Sequence, residues 1–231
     1  MSTEPLILAI ETATLAGSIA IVRGEELIAG SNGDPAVSHS NTLLADLDHL
    51  LNQTRIKLPE IDLFAVAAGP GSFTGLRIGI ATIKALAATL ARPIAAIPTL
   101  QTIALAGGPS AASVALLPAG RGEVFAQLFS VSNDGAVTAR DEASHIAPQK
   151  MFDKYGSLEN VLWCGEGAIA QRELIESANN GKQWRIAPQP QNLAQQVAGL
   201  ALRNFRAGQL VAPDALQAIY VRPSDAELKV S

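Results

Sequence analysis

The chain of 231 residues has a single cysteine, Cys164, and only 16% charged residues. One thiol can neither close an internal disulfide nor furnish a zinc cluster or redox pair, which excludes a disulfide scaffold and fits a reducing, cytoplasmic compartment. Aromatic side chains are scarce at 4%, and 17 Lys and Arg against 21 Asp and Glu give a net charge of -4. The cations form no basic run, so tight binding of nucleic acid by this chain alone is not expected. Long uncharged apolar runs are missing too. Leu6 to Ile10 stops at Glu11, too short for a signal peptide, and the stretch from Ile78 to Ala91 is interrupted by Lys84.

Apolar residues, at 48%, are plentiful. A chain of this length and composition offsets its ordering entropy by burial alone and folds as a soluble globule. Short apolar runs at Leu6–Glu11, Gly17–Val22 and Leu27–Gly30 predict a three-stranded meander. From Ser38 to Thr54 the period changes, with Leu43, Leu44, Leu47, Leu50 and Leu51 at helical spacing. Burying them would contribute about 1.5–3 kcal/mol each, so packing rather than propensity holds this helix. A buried strand at Leu63–Ala68, a loop at Gly69–Gly75 and a second helix over Leu76–Ala91 follow.

That second helix is apolar nearly all round. Such a helix either lies centrally in its own core or packs on its own sheet while another protein covers its outer side; the second alternative is preferred here. A strand at Ile94–Ile97 and a helix at Leu100–Ala106 precede Gly107-Gly108-Pro109-Ser110, a candidate boundary between lobes of residues 1–106 and 107–231. Beyond it the strand pattern restarts at Val114–Leu117, Val124–Val131 and Ala136–Ala139, then a strand at Val161–Cys164 and helices at Ala168–Ala178 and Leu193–Phe205. Two successive meanders, each followed by helices, predict an α/β protein of two related lobes, the second abbreviated, with the terminal segment a candidate to pack back on the first.

Few residues suggest chemistry. Gly69-Pro70-Gly71-Ser72-Phe73-Thr74-Gly75 joins a strand to a helix, a place where backbone N–H groups can cradle an anion. The spacing is not that of a Walker loop, and the alternative is a tight turn in which Ser72 or Thr74 caps the helix. Glu11, at the end of the first strand, reads as a solvated strand-end acid. His39 and His49, ten residues apart, make a poor metal pair, and no H-x-x-x-H pattern occurs. Cys164 is expected to be a small buried hydrophobe without chemistry. Arg203 and Arg206 share a helical face.

The glycine-rich heptad, continued by Leu76-Arg77-Ile78-Gly79-Ile80, resembles the bacterial tRNA threonylcarbamoyladenosine biosynthesis TsaB (YeaZ) family. Ile7–Thr14, Gly122-Glu123-Val124-Phe125 and Tyr220-Val221-Arg222 agree with it, so the likeness spans nearly the whole chain. Departures are Glu11 where the family usually has Asp, Pro118 and Gly120 in place of Asp and Arg, and Ala218 in place of Pro. The resemblance implies an actin, sugar-kinase and Hsp70-like (ribonuclease H-like) fold of duplicated lobes. It further implies a cytoplasmic, non-catalytic subunit for threonylcarbamoyl transfer to the adenosine beside the tRNA anticodon. The subunit would bind and order the catalytic paralogue TsaD, with the ATPase TsaE completing the complex, would form a homodimer when alone, and would meet tRNA only through the complex.

Leu43 and Leu47 on the first helix, and Leu76, Ile80, Ile83, Leu86 and Leu90 on the second, are the expected partner contacts. Glu11, Thr12, Gly71, Ser72, Thr74 and Gly75 are the candidate anion or nucleotide contacts. No cofactor or metal is expected. The alternative reading is a small ATP-dependent phosphotransferase of the same fold.

Overall fold

The computed structural model describes residues 4–36 and 39–221. Arg222, the expected Ser38 start of the first helix and the His39 side chain lie outside the described residues. The chain divides into two compact units. The first combines residues up to Thr99 with Asn192–Ile219, and the second is built on Leu100–Gln191.

In the first unit β1 (Leu6–Glu11), β2 (Ser18–Arg23) and β3 (Glu26–Asn32) form an antiparallel meander. The sheet continues through β4 (Leu63–Gly69) and β5 (Ile94–Pro98), both parallel to β1, in the order β3-β2-β1-β4-β5. Every residue of β1 and β4 is buried, which is why these strands read as continuous apolar runs rather than alternating ones. One face is covered by α1 (His39–Thr54) and α2 (Phe73–Leu90), whose Leu43, Leu47, Leu50, Ile83 and Ala87 join Leu8, Ile21 and Phe64 in one core. The other end of the chain supplies α7 (Leu193–Arg206), which packs on β1, β2, β4 and β5.

The boundary lies before the expected residue 106, and the terminal segment named as a candidate to pack back on the first lobe includes this helix. The chain leaves the first unit at Thr99, at the head of α3 (Thr99–Gly107), and Asn192–Ile219 come back to it. The reason lies in two devices at the start of α7. The Asn192 side-chain amide donates to the carbonyls of Ile19 and Ser31, while its oxygen accepts from Gln195 N–H and caps the helix. Ser18 accepts from the Ala194 N–H at 2.9 Å. Beyond them Val197, Ala198, Leu200, Ala201 and Leu202 are buried. At the helix end Arg206 pairs with Glu4 and Glu25, so this arginine belongs to the fold.

The second unit repeats the pattern. Its strands β6 (Ser110–Gly120), β7 (Glu123–Val131) and β8 (Val137–Ala139) are antiparallel; β10 (Asn160–Cys164) and β11 (Gln183–Ile186) are parallel to β6, in the order β11-β10-β6-β7-β8. A short β9 (Ser144–Ile146) adds to β7. Besides α3, its helices are short: α4 (Lys150–Tyr155), α5 (Glu166–Ala170) and α6 (Arg172–Ala178). The last two occupy the span expected as one helix, Ala168–Ala178. The core here is aromatic: Trp163 lies edge-on to Trp184 with centroids 5.3 Å apart and to Tyr155 at 6.3 Å.

Five leucines of α1 were expected in the core, and four are there; Leu44 is 66% exposed. Leu50→Ala should therefore cost about 2–5 kcal/mol, the usual range for emptying a core leucine site, and Leu44→Ala about 0.5 kcal/mol or less. Urea unfolding followed by far-ultraviolet circular dichroism checks this, because Trp163 and Trp184 both lie in the second unit and give no fluorescence signal for the first.

Candidate functional site

The glycine-rich segment is shorter as a loop than the sequence suggested, because α2 begins at Phe73 with Ser72 as its N-cap. The Ser72 hydroxyl accepts from the Gly75 N–H at 3.2 Å, satisfying one of the donors that a helix start leaves unpaired. The Ser72 N–H donates to the carbonyl of Ala13 at 2.9 Å. Thr12 donates its hydroxyl to the Gly75 carbonyl at 2.7 Å. The β1–β2 loop and the start of α2 are thus clasped backbone to backbone.

Glycine is required by this closeness. A Cβ on Gly75 would fall on the Thr12 carbonyl oxygen, one on Gly79 would fall on the Thr12 hydroxyl, and one on Gly71 would come within 2.7 Å of both Cβ and carbonyl oxygen of Ala13. On the far side of the loop a Cβ on Gly69 would meet the carbonyl of Ile219, whose N–H donates to Ala68 at 2.7 Å. The signature glycines let three chain segments meet.

Glu11 is wholly buried, not solvated at a strand end as one alternative had it. One carboxylate oxygen accepts from the Thr14 N–H at 2.8 Å and the other from the Thr14 hydroxyl at 2.6 Å. This carboxylate shapes the β1–β2 loop, and among the described residues no group of three His, Cys, Asp or Glu side chains could hold a metal. The hairpin loop, with Thr12, Ala16 and Gly17, lines a cavity of about 10 Å³ against Thr42, Leu43 and Asp46 of α1, room for about one water molecule. Of the nucleotide candidates, Thr12 and Gly75 are joined by a hydrogen bond, Gly71 and Ser72 lie against Ala13, and Glu11 is engaged by Thr14. Thr74 is exposed on the helix.

The partner candidates separate into two groups. Leu43, Leu47, Leu76 and Ile83 are 6%, 4%, 1% and 0% exposed. They fill the chain's own core, so the expectation that they meet a partner is corrected. Ile80, Leu86 and Leu90 are half-buried, packed along the flanks of that core. The outer side of α2 instead carries Thr74, Arg77, Ala81, Ala85, Ala88 and Thr89. This helix, 18 residues of mean hydropathy 1.3 with 28% buried, is long and apolar enough to cross a membrane by length and composition alone. Here it lies on a sheet, and Lys84, half-buried at mid-length, reaches the carbonyls of Asp214 and Leu216 at 3.4 and 3.3 Å. Arg77 is exposed, its guanidinium carbon 3.8 Å from the centroid of the Phe73 ring. Sequence periodicity had not separated the outer face from the inner one, although the glycines at 75 and 79 mark the inner side.

Two sheets with one strand order define a duplicated α/β protein of the actin, sugar-kinase and Hsp70 type. A family model described as TsaD, tRNA N6-adenosine threonylcarbamoyltransferase, matches residues 35–217. The tRNA threonylcarbamoyladenosine biosynthesis protein TsaB of Bacillus subtilis is 34% identical over 128 residues, 55% of this chain and 56% of that protein. The TsaB protein of Escherichia coli is 26% identical over 219 residues, 94% of each chain. In fold the chain is similar to YeaZ from Pseudomonas aeruginosa, with a TM-score of 0.78 at 21% identity over 94% of this chain and 99% of that one. The chain belongs to the family that the model describes, and in it to the TsaB/YeaZ proteins.

The clasp makes a specific prediction for thermal unfolding. Gly79→Ala should lower stability although alanine is the better helix former by about 1 kcal/mol, because its methyl group meets the Thr12 hydroxyl. In a Thr12→Ala background the same substitution should be neutral or stabilising. Gly75→Ala meets backbone and should find no such rescue.

Cys164 is 1% exposed, and burial pushes its thiol up to about 12, against a smaller opposing effect of the Ser113 hydroxyl. It should resist a thiol reagent at pH 8 in the native protein and react once unfolded. The stability owed to the neutral thiol should be complete below its unfolded pKa and decline as the pH rises from there towards 12.

Proposed function

We propose that this chain is the non-catalytic subunit needed for threonylcarbamoyl transfer to the adenosine beside the anticodon of tRNAs. It acts by binding and ordering the catalytic paralogue TsaD, with TsaE joining the larger complex. The observation that carries the reading is the outer side of α2. An apolar helix with 28% of its length buried presents a row of alanines, and small side chains let a second helix approach closely at the 8–10 Å usual for packed helices.

Family membership supports the pathway, since TsaB relatives are named for tRNA threonylcarbamoyladenosine biosynthesis. The engagement of both Glu11 oxygens by Thr14 supports a structural use of this carboxylate over the phosphotransferase alternative. The net charge of -4 supports contact with tRNA through the complex. When the partner is absent, the same face pairs two copies of the chain, and TsaD displaces the homodimer.

Ala85→Glu tests the reading, because it places a charge on the outer side of α2 without touching the core. The variant should keep its circular-dichroism spectrum and thermal midpoint. Co-expressed with the TsaD of the same organism, it should fail to co-purify and should leave tRNA without threonylcarbamoyladenosine in a reconstituted reaction, as measured by nucleoside mass spectrometry. Undiminished association would remove the α2 face from the interface.

A further inference from the structure

We infer that Asn180-Gly181 is a site of spontaneous covalent modification, where the asparagine closes on the following peptide nitrogen and becomes isoaspartate, while the fold protects the other Asn-Gly pair, Asn32-Gly33. The sequence holds this dipeptide twice. With no side chain on the second residue, both pairs offer an unhindered peptide nitrogen beside a carboxamide. What separates them is their setting.

Asn180 and Gly181 lie between α6 and β11 as the two central residues of a tight turn. Their φ angles are 42° and 80°, and the Lys182 N–H donates to the Asn179 carbonyl at 2.8 Å. Positive φ at both central positions is the pattern that favours Asn-Gly. Both residues are exposed, and a Cβ on Gly181 would meet nothing within 4 Å. Among the described residues neither the Asn180 carboxamide nor the Gly181 N–H has a hydrogen-bond partner, so the side chain is free to turn onto the nitrogen. Asn32, by contrast, ends the edge strand β3 and pairs with Ser18. Its side-chain oxygen accepts from Asn192 at 3.1 Å, the Gly33 N–H donates to the Gly17 carbonyl at 3.2 Å, and a Cβ on Gly33 would fall on the Ala16 carbonyl oxygen. Cyclisation there must first break these hydrogen bonds and lift the end of the strand.

The step needs water alone. Hydroxide removes the Gly181 N–H proton, the nitrogen bonds to the Asn180 side-chain carbonyl carbon, and the bond from that carbon to the amide nitrogen breaks to release ammonia. Water then opens the cyclic imide at either carbonyl. The product is aspartate or, where the main chain now runs through the side-chain methylene, isoaspartate. Both add a negative charge, and isoaspartate also lengthens the turn. Directly after it β11 pairs with β10 and carries Trp184 into the aromatic core, its indole N–H on the Leu158 carbonyl at 2.8 Å. Modification at residue 180 therefore disturbs the entry of β11 and the surroundings of this tryptophan.

The experiment incubates the full chain at pH 8, in buffer and in urea, and samples it over days. Tryptic peptides are scored by mass spectrometry for replacement of the amide NH2 by OH, and for isoaspartate by the methyl group that an isoaspartyl methyltransferase adds. In buffer the peptide Glu173–Lys182 should convert about tenfold or more faster than the peptide holding Asn32, because opening the bonds around Gly33 adds to the barrier there. In urea the two rates should become similar. Asn180→Gly, which suits the positive φ, should abolish methyl transfer to the first peptide and keep tryptophan emission constant while that of the unchanged chain drifts. Equal rates in the folded chain, faster conversion at Asn32, or the same emission drift in Asn180→Gly would overturn the inference.

Discussion

The contact of Thr12 with the glycine side of α2 sets the rest of the first unit. A helix that starts with its backbone against another backbone cannot rotate about its axis. With Gly75 and Gly79 turned to the β1–β2 loop, Leu76, Ile83 and Ala87 must enter the core and Ala81, Ala85 and Ala88 must face out. Thr12 can sit there only because the loop that holds it is shaped from within by Glu11, whose two oxygens take the N–H and hydroxyl of Thr14. A buried carboxylate that lost these partners would bear the full desolvation cost of its charge. The outer surface is thus a consequence of hydrogen bonds on the inside.

The two units solve the same covering problem with different material. Each has three antiparallel strands followed by two parallel ones. The first covers one face of its sheet with two helices of 16 and 18 residues and borrows α7 from the other end of the chain for the second face. The second has helices of five to nine residues and compensates with bulk, gathering Phe152, Tyr155, Trp163 and Trp184 in one cluster. An aromatic side chain buries 150–250 Å² on its own, so a short helix can close a core when its residues are large. Although aromatic residues are only 4% of the sequence, both tryptophans are spent there.

Most of the strands were legible, because buried parallel strands such as that expected at Leu63–Ala68 leave strong local marks. The helix Leu193–Arg206 was legible as a helix, and the packing of a terminal segment on the first lobe as a candidate, while the anchors of that return were not: Asn192 binds the carbonyls of Ile19 and Ser31, more than 150 positions away in the sequence. Short elements such as Lys150–Tyr155 and Gln183–Ile186 left no periodicity long enough to read. At the site, the glycines of the heptad were visible, but an anion cradle and a close backbone approach call for the same residues. Only the position of Thr12 separates them. Leucine spacing likewise placed Leu43 and Leu47 on a stripe without saying which side of the stripe met the sheet.

The composition of the outer face of α2 reconciles two opposed needs. A free protein that leaves leucines in water forfeits about 1.5–3 kcal/mol of burial at each and invites aggregation. Alanine exposes little apolar area, keeps the helix strong, and still allows a neighbouring helix to come close. The large apolar side chains of α2 are accordingly the ones turned inward or to the flanks, Leu76, Ile83, Leu86 and Leu90, while the exposed row is Ala81, Ala85 and Ala88. Such a face gains little from burial of its own side chains, so in the docking proposed for it closeness of fit rather than apolar area would supply the contact.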